Sequence, residues 1–195
     1  MRKKSILITG APGSGKTTIA NALFRSEKIV HNSEDFRLIG TDTIREIIKS
    51  AVDPLLIPEL QGSSIDFCDE NDMTDLSGFL KQAEILAPGI EGAINRNKEE
   101  GRTLVLEGIH CLPNYLSSLA DVEYFVVTVP KSQQVSRLQS QHRSPEKIKR
   151  KMQNMERYLH YQEYLIRLAE KYDNVHVIQE QNVSAAVDFI LSKIL

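Results

Sequence analysis

Gly10-Ala11-Pro12-Gly13-Ser14-Gly15-Lys16-Thr17 satisfies the pattern GxxxxGK[ST] at every fixed position. It lies between an apolar run, Ser5 to Thr9, which reads as a short buried strand, and a helical pattern from Lys16 to about Arg25. In that context glycines let the backbone curl so that successive N–H groups face an anion, and the following helix adds the positive end of its dipole. The sequence therefore predicts a nucleotide-phosphate site built from Gly10, Gly13, Ser14, Gly15, Lys16, Thr17 and Thr18. Lys16 would reach the β and γ phosphates of a nucleotide, and the Thr17 hydroxyl would be offered to Mg2+.

A chain of 195 residues is long enough for one compact domain with a sizeable core. Only Cys68 and Cys111 are present, which excludes a disulfide framework or a Cys-rich zinc site and predicts two small core residues in a reducing, cytoplasmic protein. The basic start Arg2-Lys3-Lys4 is followed by only three apolar residues, so no export signal is predicted, and no apolar run approaches membrane-spanning length. The net charge of −2 hides two unlike segments. Asp53 to Asp75 holds seven acids and no Lys or Arg, whereas Lys131 to Arg157 holds eight bases and two acids. No second basic surface interleaved with aromatics appears, so nucleic acid is not the expected partner.

Beyond the first strand and helix, Phe36 to Thr41 reads as a second strand. Ile44, Ile47, Ile48 and Ala51 then recur at helical spacing, with Thr41 or Asp42 as the cap. Residues 53–78 read as a long connection with at most short helical pieces. A helix follows from about Phe79 to Glu100, interrupted or bent near Pro88-Gly89, then strands at Thr103–Leu106 and Val122–Val129. Lys131 to about Gln141 reads as a helix, His142-Arg143-Ser144-Pro145 as a break, and the next helix runs to about Tyr172. Its heptad-like stripe is Ile148, Met152, Met155, Leu159, Gln162, Ile166 and Ala169, the face through which an oligomer would form. Fewer than four heptads and a Gln in the seam favour packing against the body instead. Val175–Ile178 and Ala185–Leu195 complete an α/β pattern that predicts a parallel sheet covered on both faces.

No guanine-reading Asn/Thr-Lys-x-Asp follows a later strand, which sets the chain apart from switch GTPases. Arg137 and Arg143 flank a helix end and suit a lid, spanning about 137–150, that neutralises a transferring phosphoryl group. Asp42 and Arg45 stand three apart at a helix start beyond the second strand, where open α/β sheets bind substrate. Asp42 would accept or orient a hydroxyl proton and Arg45 would hold an anionic group. Glu107, an acid at the end of an apolar strand, would orient water on Mg2+ or act as base, and His110 would touch substrate or phosphate. Asp69, Glu70 and Asp72 read as a solvated loop rather than a metal site.

With GAPGSGKTT, IGTDTIREII, LVLEGIHCLP and HRSPEKIKRKMQNMERYLHYQEYL in view, the chain resembles the kinase domain of the archaeal 2-phosphoglycerate kinases, a P-loop kinase group. The resemblance spans nearly the whole chain. It implies a three-layer sandwich around a five-stranded parallel sheet of order 2-3-1-4-5, with a lid after the fourth strand. It also implies ATP-dependent phosphorylation of a small, often anionic, alcohol. By that resemblance Asp42 and Arg45 face substrate, Glu107 and His110 lie at the pocket floor, and Arg137 and Arg143 close from the lid. The other functions consistent with the residues are a nucleotide or polynucleotide-end kinase and a non-catalytic ATP-dependent binding module. The loop Glu180 to Val183 is expected beside the base, and the acidic stretch is expected to repel an anionic acceptor unless Arg45 and the lid outweigh it.

Overall fold

The computed structural model describes residues 5–26, 29, 36–116, 121–140, 144–179 and 182–194. The apolar runs become five strands: β1 Ser5–Thr9, β2 Phe36–Gly40, β3 Thr103–Glu107, β4 Val122–Val127 and β5 Val175–Ile178. They pair in parallel in the order β2-β3-β1-β4-β5, as the resemblance implied. β1 and β4 are buried along their whole length, which explains their unbroken apolar character, whereas β2 at the edge is half-buried. Alternate residues serve two cores. Leu7, Leu104, Leu106, Tyr124 and Val126 pack on one face, and Ile6, Ile8, Val105, Phe125 and Val127 on the other.

Seven α-helices are described: α1 Lys16–Phe24, α2 Thr41–Ala51, α3 Ser77–Glu99, α4 Lys131–Gln139, α5 Pro145–Gln153, α6 Met155–Ala169 and α7 Val183–Ile194. α3 and α6 contribute to the first core, and α1 and α7 to the second. Because β1 is flanked by β3 on one side and β4 on the other, its carboxyl end is the point where chain connections diverge, the usual crevice for ligands in such sheets.

Three expectations are corrected. α2 begins directly after an extended Gly40, with neither Thr41 nor Asp42 as cap, because the Thr41 hydroxyl is engaged elsewhere in the interior. Pro88 lies inside α3 without ending it; proline removes one helical N–H, and the helix continues to Glu99 on the strength of a buried face including Ala83, Leu86, Ile90 and Ile94. The long helix after Pro145 is two helices broken at Asn154, whose N–H is shared among carbonyls of the preceding turn and whose Nδ2 donates to Arg150 O at 3.0 Å. Past the break the buried apolar face is Met155, Tyr158, Tyr161, Leu165, Leu168 and Ala169, so α6 packs against the body; of the heptad stripe only Met155 and Ala169 belong to that face, and Leu159, Gln162 and Ile166 are half-buried. Gln162 clamps the chain after β4, with Val129 N donating to its Oε1 at 3.0 Å and its Nε2 donating to Val129 O at 3.2 Å.

Residues 53–76 are irregular apart from single 3-10 turns at Pro58–Leu60 and Ser64–Phe67. The acids here are turn-makers: Asp53, Asp66, Asp69, Asp72 and Asp75 each accept a backbone N–H. Burial raises the Asp75 pKa, but bonds from the Asp69 and Ser77 N–H groups and the Ser77 hydroxyl bring it below the ordinary carboxylate value. Arg157 on α6, itself buried, donates to the carbonyls of Asp75 at 2.5 Å and Asp69 at 2.6 Å and anchors this loop to the body. Cys111 is buried as expected, and Cys68 half-buried, both free thiols. No helix among the described residues is long and apolar enough to cross a membrane.

Candidate active site

The phosphate loop leaves β1 at Gly10 and enters α1 after Gly15, which sits at φ 97° in the left-handed region. α4 presses on the outside of this loop. A Cβ at Gly13, whose φ is 85°, would lie 2.9 Å from Leu138 Cγ, and one at Gly15 would lie 2.8 Å from Arg137 Nη1. Gln134 donates to Pro12 O at 2.7 Å and Arg137 to Ser14 O at 2.6 Å, so the loop's outward carbonyls are taken up by α4 side chains. The loop remains a curled backbone with the N-terminus of α1 behind it, an anion cradle.

This loop forms one end of a cleft of about 760 Å³. Gly13, Ser14, Gly15, Lys16, Thr17, Thr18, Asp42, Arg45, Glu107 and Arg137 all line it, so those predicted residues, distant in sequence, are brought together. Gly10 instead lies beneath the loop, where a Cβ would fall 2.5 Å from Val127 O, and Arg143 lies outside the described residues. Of the segment Glu180 to Val183, Val183 lines the cleft and Glu180 and Gln181 are outside the described residues. Thr17 Oγ1 donates to Glu107 Oε2 at 3.0 Å, which joins the start of α1 to the end of β3. A hydroxyl and a carboxylate side by side at the foot of a phosphate cradle are hard oxygen donors, and this pair fits a Mg2+ ion carried mainly by nucleotide phosphates and water. Among the described residues no cluster of three or more His, Cys, Asp or Glu side chains forms a metal site, Asp69, Glu70 and Asp72 included.

The cleft is strongly cationic. Lys16, Arg45, Arg137, Lys147, Arg150 and Lys151 face only Asp42 and Glu107 within it. Asp42 is exposed in the first turn of α2, whose N-terminus favours its charge. Arg45 donates to Glu46 Oε1 at 2.8 Å and to Gly62 O at 3.4 Å, while its Nε is buried with no hydrogen-bond partner. Arg150, which lines the cleft, pairs with Asp66 of the 53–76 connection.

His110 does not line the cleft. It is 1% exposed behind Glu107-Gly108-Ile109, with Nδ1 3.0 Å from Thr41 Oγ1 and Nε2 3.1 Å from Gln82 Oε1. Burial pushes its pKa down to about 4; the Asp42 charge opposes that shift, and Arg45 and Lys16 reinforce it. Tyr161, also buried, donates to the carbonyl of Ile109 and so holds the same turn from α6. Ser63, Ser64 and Ile65, supplied by the 53–76 connection, also line the cleft. The segment 53–78 was expected on the acceptor side and Gly108 belongs to the quoted turn after β3, but no signal singled out Ser63, Ser64 and Ile65 within that segment, nor Tyr158; Lys147, Arg150 and Lys151 were signalled only by the basic surplus of their segment.

A five-stranded parallel sheet of this order, layered by helices on both faces and carrying a phosphate loop between β1 and α1, is the three-layer sandwich of the P-loop kinases. Shikimate kinase from Acinetobacter baumannii, solved in complex with shikimate, superposes with a TM-score of 0.55 at 15% identity, covering 99% of this chain and 96% of that one. Shikimate kinase from Bacteroides thetaiotaomicron gives 0.51 at 12% identity, covering 97% of each. At that identity the likeness is one of fold. Residues 6–159 match the model of the AAA domain family, and the chain belongs to that family. Among curated relatives, 2-phosphoglycerate kinase of Thermococcus kodakarensis is 28% identical over 98% of this chain and 66% of its own length. The enzyme of the same name from Pyrococcus horikoshii is 29% identical over 97% and 64%, and that of Methanopyrus kandleri 30% over 97% and 60%. The chain thus spans somewhat less than two thirds of the length of these relatives.

Proposed function

We propose that this chain is an ATP-dependent phosphotransferase that phosphorylates a hydroxyl group of a small anionic molecule, with 2-phosphoglycerate as the first acceptor to test. The observation that carries this reading is the convergence in one cleft of a phosphate cradle, two carboxylates and a surplus of cations from four separate chain segments. A pure nucleotide-binding module would use Glu107 for Mg2+ but has no use for Asp42 in the same cleft. A cleft of small-ligand size also suits a metabolite better than a polynucleotide strand. The names of the archaeal relatives, aligned over nearly all of this chain, support the same choice.

In this reading the loop and Lys16 bind the triphosphate of ATP, with Val183 on the base side. Thr17 and Glu107 hold Mg2+, which supplies charge neutralisation on the phosphates. Asp42 accepts the proton of the acceptor hydroxyl as its oxygen bonds to the γ phosphorus; the bond to the β-γ bridging oxygen breaks and ADP departs. Arg45, Lys147, Arg150 and Lys151 hold the acceptor's own negative groups. Arg137, and Arg143 beyond it, belong to a lid over about 137–150, and residues 53–78 are an acceptor-side insertion within a single domain. Little covalent chemistry is asked of the protein, so rate enhancement rests on alignment and charge neutralisation. The free thiols Cys68 and Cys111 suit a reducing, cytoplasmic setting. The test is ADP release from Mg2+-ATP across a panel of phosphorylated and unphosphorylated hydroxy acids, sugars, cyclitols and nucleosides. Stimulation by an anionic hydroxy compound is expected; stimulation by none would favour the binding module.

A further inference from the structure

Behind the acceptor end of the cleft runs a continuous buried chain of polar side chains: Thr41, His110, Gln82 and Ser64, each no more than 2% exposed. Gln82 on α3 is its hub. Its Nε2 donates to the carbonyls of Glu59 at 2.5 Å and Gly62 at 3.1 Å. Its Oε1 accepts from the Ser64 hydroxyl at 2.6 Å and meets His110 Nε2 at 3.1 Å. Both hydrogens and both lone pairs of the amide are used. The amide cannot be flipped, because its oxygen would then face two carbonyls.

That orientation dictates the rest. An amide oxygen has no proton to give, so His110 Nε2 must carry one, Nδ1 must hold the lone pair, and the Thr41 hydroxyl must donate to it. Two glycines make room for the arrangement. A Cβ on Gly108, at φ 151°, would lie 1.8 Å from Thr41 Oγ1, and a Cβ on Gly78, at the start of α3, would lie 2.0 Å from Ser64 O.

We infer that Gln82 and His110 are positioning residues that together set the acceptor wall: Gln82 fixes the segment 59–64, and His110, locked as the Nε2–H tautomer, ties that segment to the start of α2, where Asp42 and Arg45 stand. The inference rests on the acceptor lying at this end of the cleft. The phosphate loop makes none of these bonds, so the pair governs one substrate and not the other. Burial keeps the ring neutral: its two hydrogen-bond partners, Thr41 and Gln82, are uncharged, and the charges that act on it are Asp42, Arg45 and Lys16.

Gln82→Glu tests this, because a carboxylate still accepts from Ser64 and His110 but cannot donate to the two carbonyls. With 2-phosphoglycerate and ATP as substrates, its KM for 2-phosphoglycerate should rise about tenfold while its KM for ATP stays within about twofold. An equal rise in both KM values, or in neither, overturns the inference. Ser64→Ala removes a single hydroxyl and serves if Gln82→Glu does not fold; a rise of about threefold confined to the acceptor is expected. In the wild-type protein, long-range proton–nitrogen NMR of the histidine rings should show His110 protonated on Nε2 alone from about pH 8 to about pH 5. The opposite tautomer, or titration near the ordinary histidine value, contradicts it. Should the wild type leave 2-phosphoglycerate untouched, the functional reading fails on that acceptor. The positioning role is then judged by amide exchange, which in the variant must quicken over 59–67 and stay unchanged over 10–17.

Discussion

The two ends of the cleft are built by different means. In the proposed reading the nucleotide end is nine consecutive residues, Gly10 to Thr18, whose recognition groups are backbone N–H atoms and the side chains of Lys16 and Thr17, and the other end takes the acceptor. The acceptor end is assembled from α2, the 53–76 connection, α3 and the turn after β3, segments joined by side-chain bonds such as Thr41–His110 and Gln82–Gly62. A local loop carries its geometry in its own glycines, whereas an assembled wall is only as well placed as the bonds between its parts. One end can therefore serve a common cofactor unchanged while the other is adjusted for different acceptors.

Several measurements can break this contrast or sharpen it. The largest effect should come at the nucleotide end: Lys16→Ala should lower acceptor-dependent turnover by about a hundred- to a thousandfold, with ATP affinity also reduced in a titration. Asp42→Asn at the other end should cost about a hundredfold or more in kcat with ATP affinity intact, and a matching loss of ATP binding would erase the contrast. Gly108→Ala should destabilise the fold by about 2–3 kcal/mol in thermal or denaturant unfolding, because its Cβ collides with Thr41.

The pH dependence of stability probes the same buried chain. A histidine held at about 4 in the folded protein and near 6.5 when unfolded takes a proton on unfolding. Acidification between those values therefore favours the unfolded state, by up to about 1.4 kcal/mol per pH unit. Unfolding free energies measured across that window should show the slope, and His110→Gln should flatten it. The smallest effect is expected from Arg150→Ala. Its pair with Asp66 is 46% and 39% exposed, so stability should change by less than about 1 kcal/mol while the KM for an anionic acceptor rises severalfold.

The same contrast explains what could be read from the sequence. The phosphate loop was legible because its determinants are contiguous, and the strands because β1 and β4 are apolar runs buried on both faces. Asp42, Arg45 and Glu107 were legible because each ends or follows a strand at the carboxyl edge of the sheet. Gln82 and Ser64 carried no signal, since a Gln on a helix and a Ser in a loop are ordinary until the fold brings them to 2.6 Å. Five of the seven acids of 53–75, expected to repel an anion, accept backbone N–H groups of their own turns, a use that only the folded loop reveals. The helix after Pro145 ran past its true break because Asn154 interrupts an apolar pattern that continues on both sides.

The central claim is transfer of a phosphoryl group from the loop end of the cleft to an anionic alcohol at the other. Phosphorus NMR of the wild-type protein with Mg2+-ATP and 2-phosphoglycerate tests it most directly. The account predicts a new phosphate ester on the acceptor appearing in step with ADP, and neither product with Lys16→Ala. ADP formed at the same rate without acceptor, or an unchanged spectrum, would contradict it.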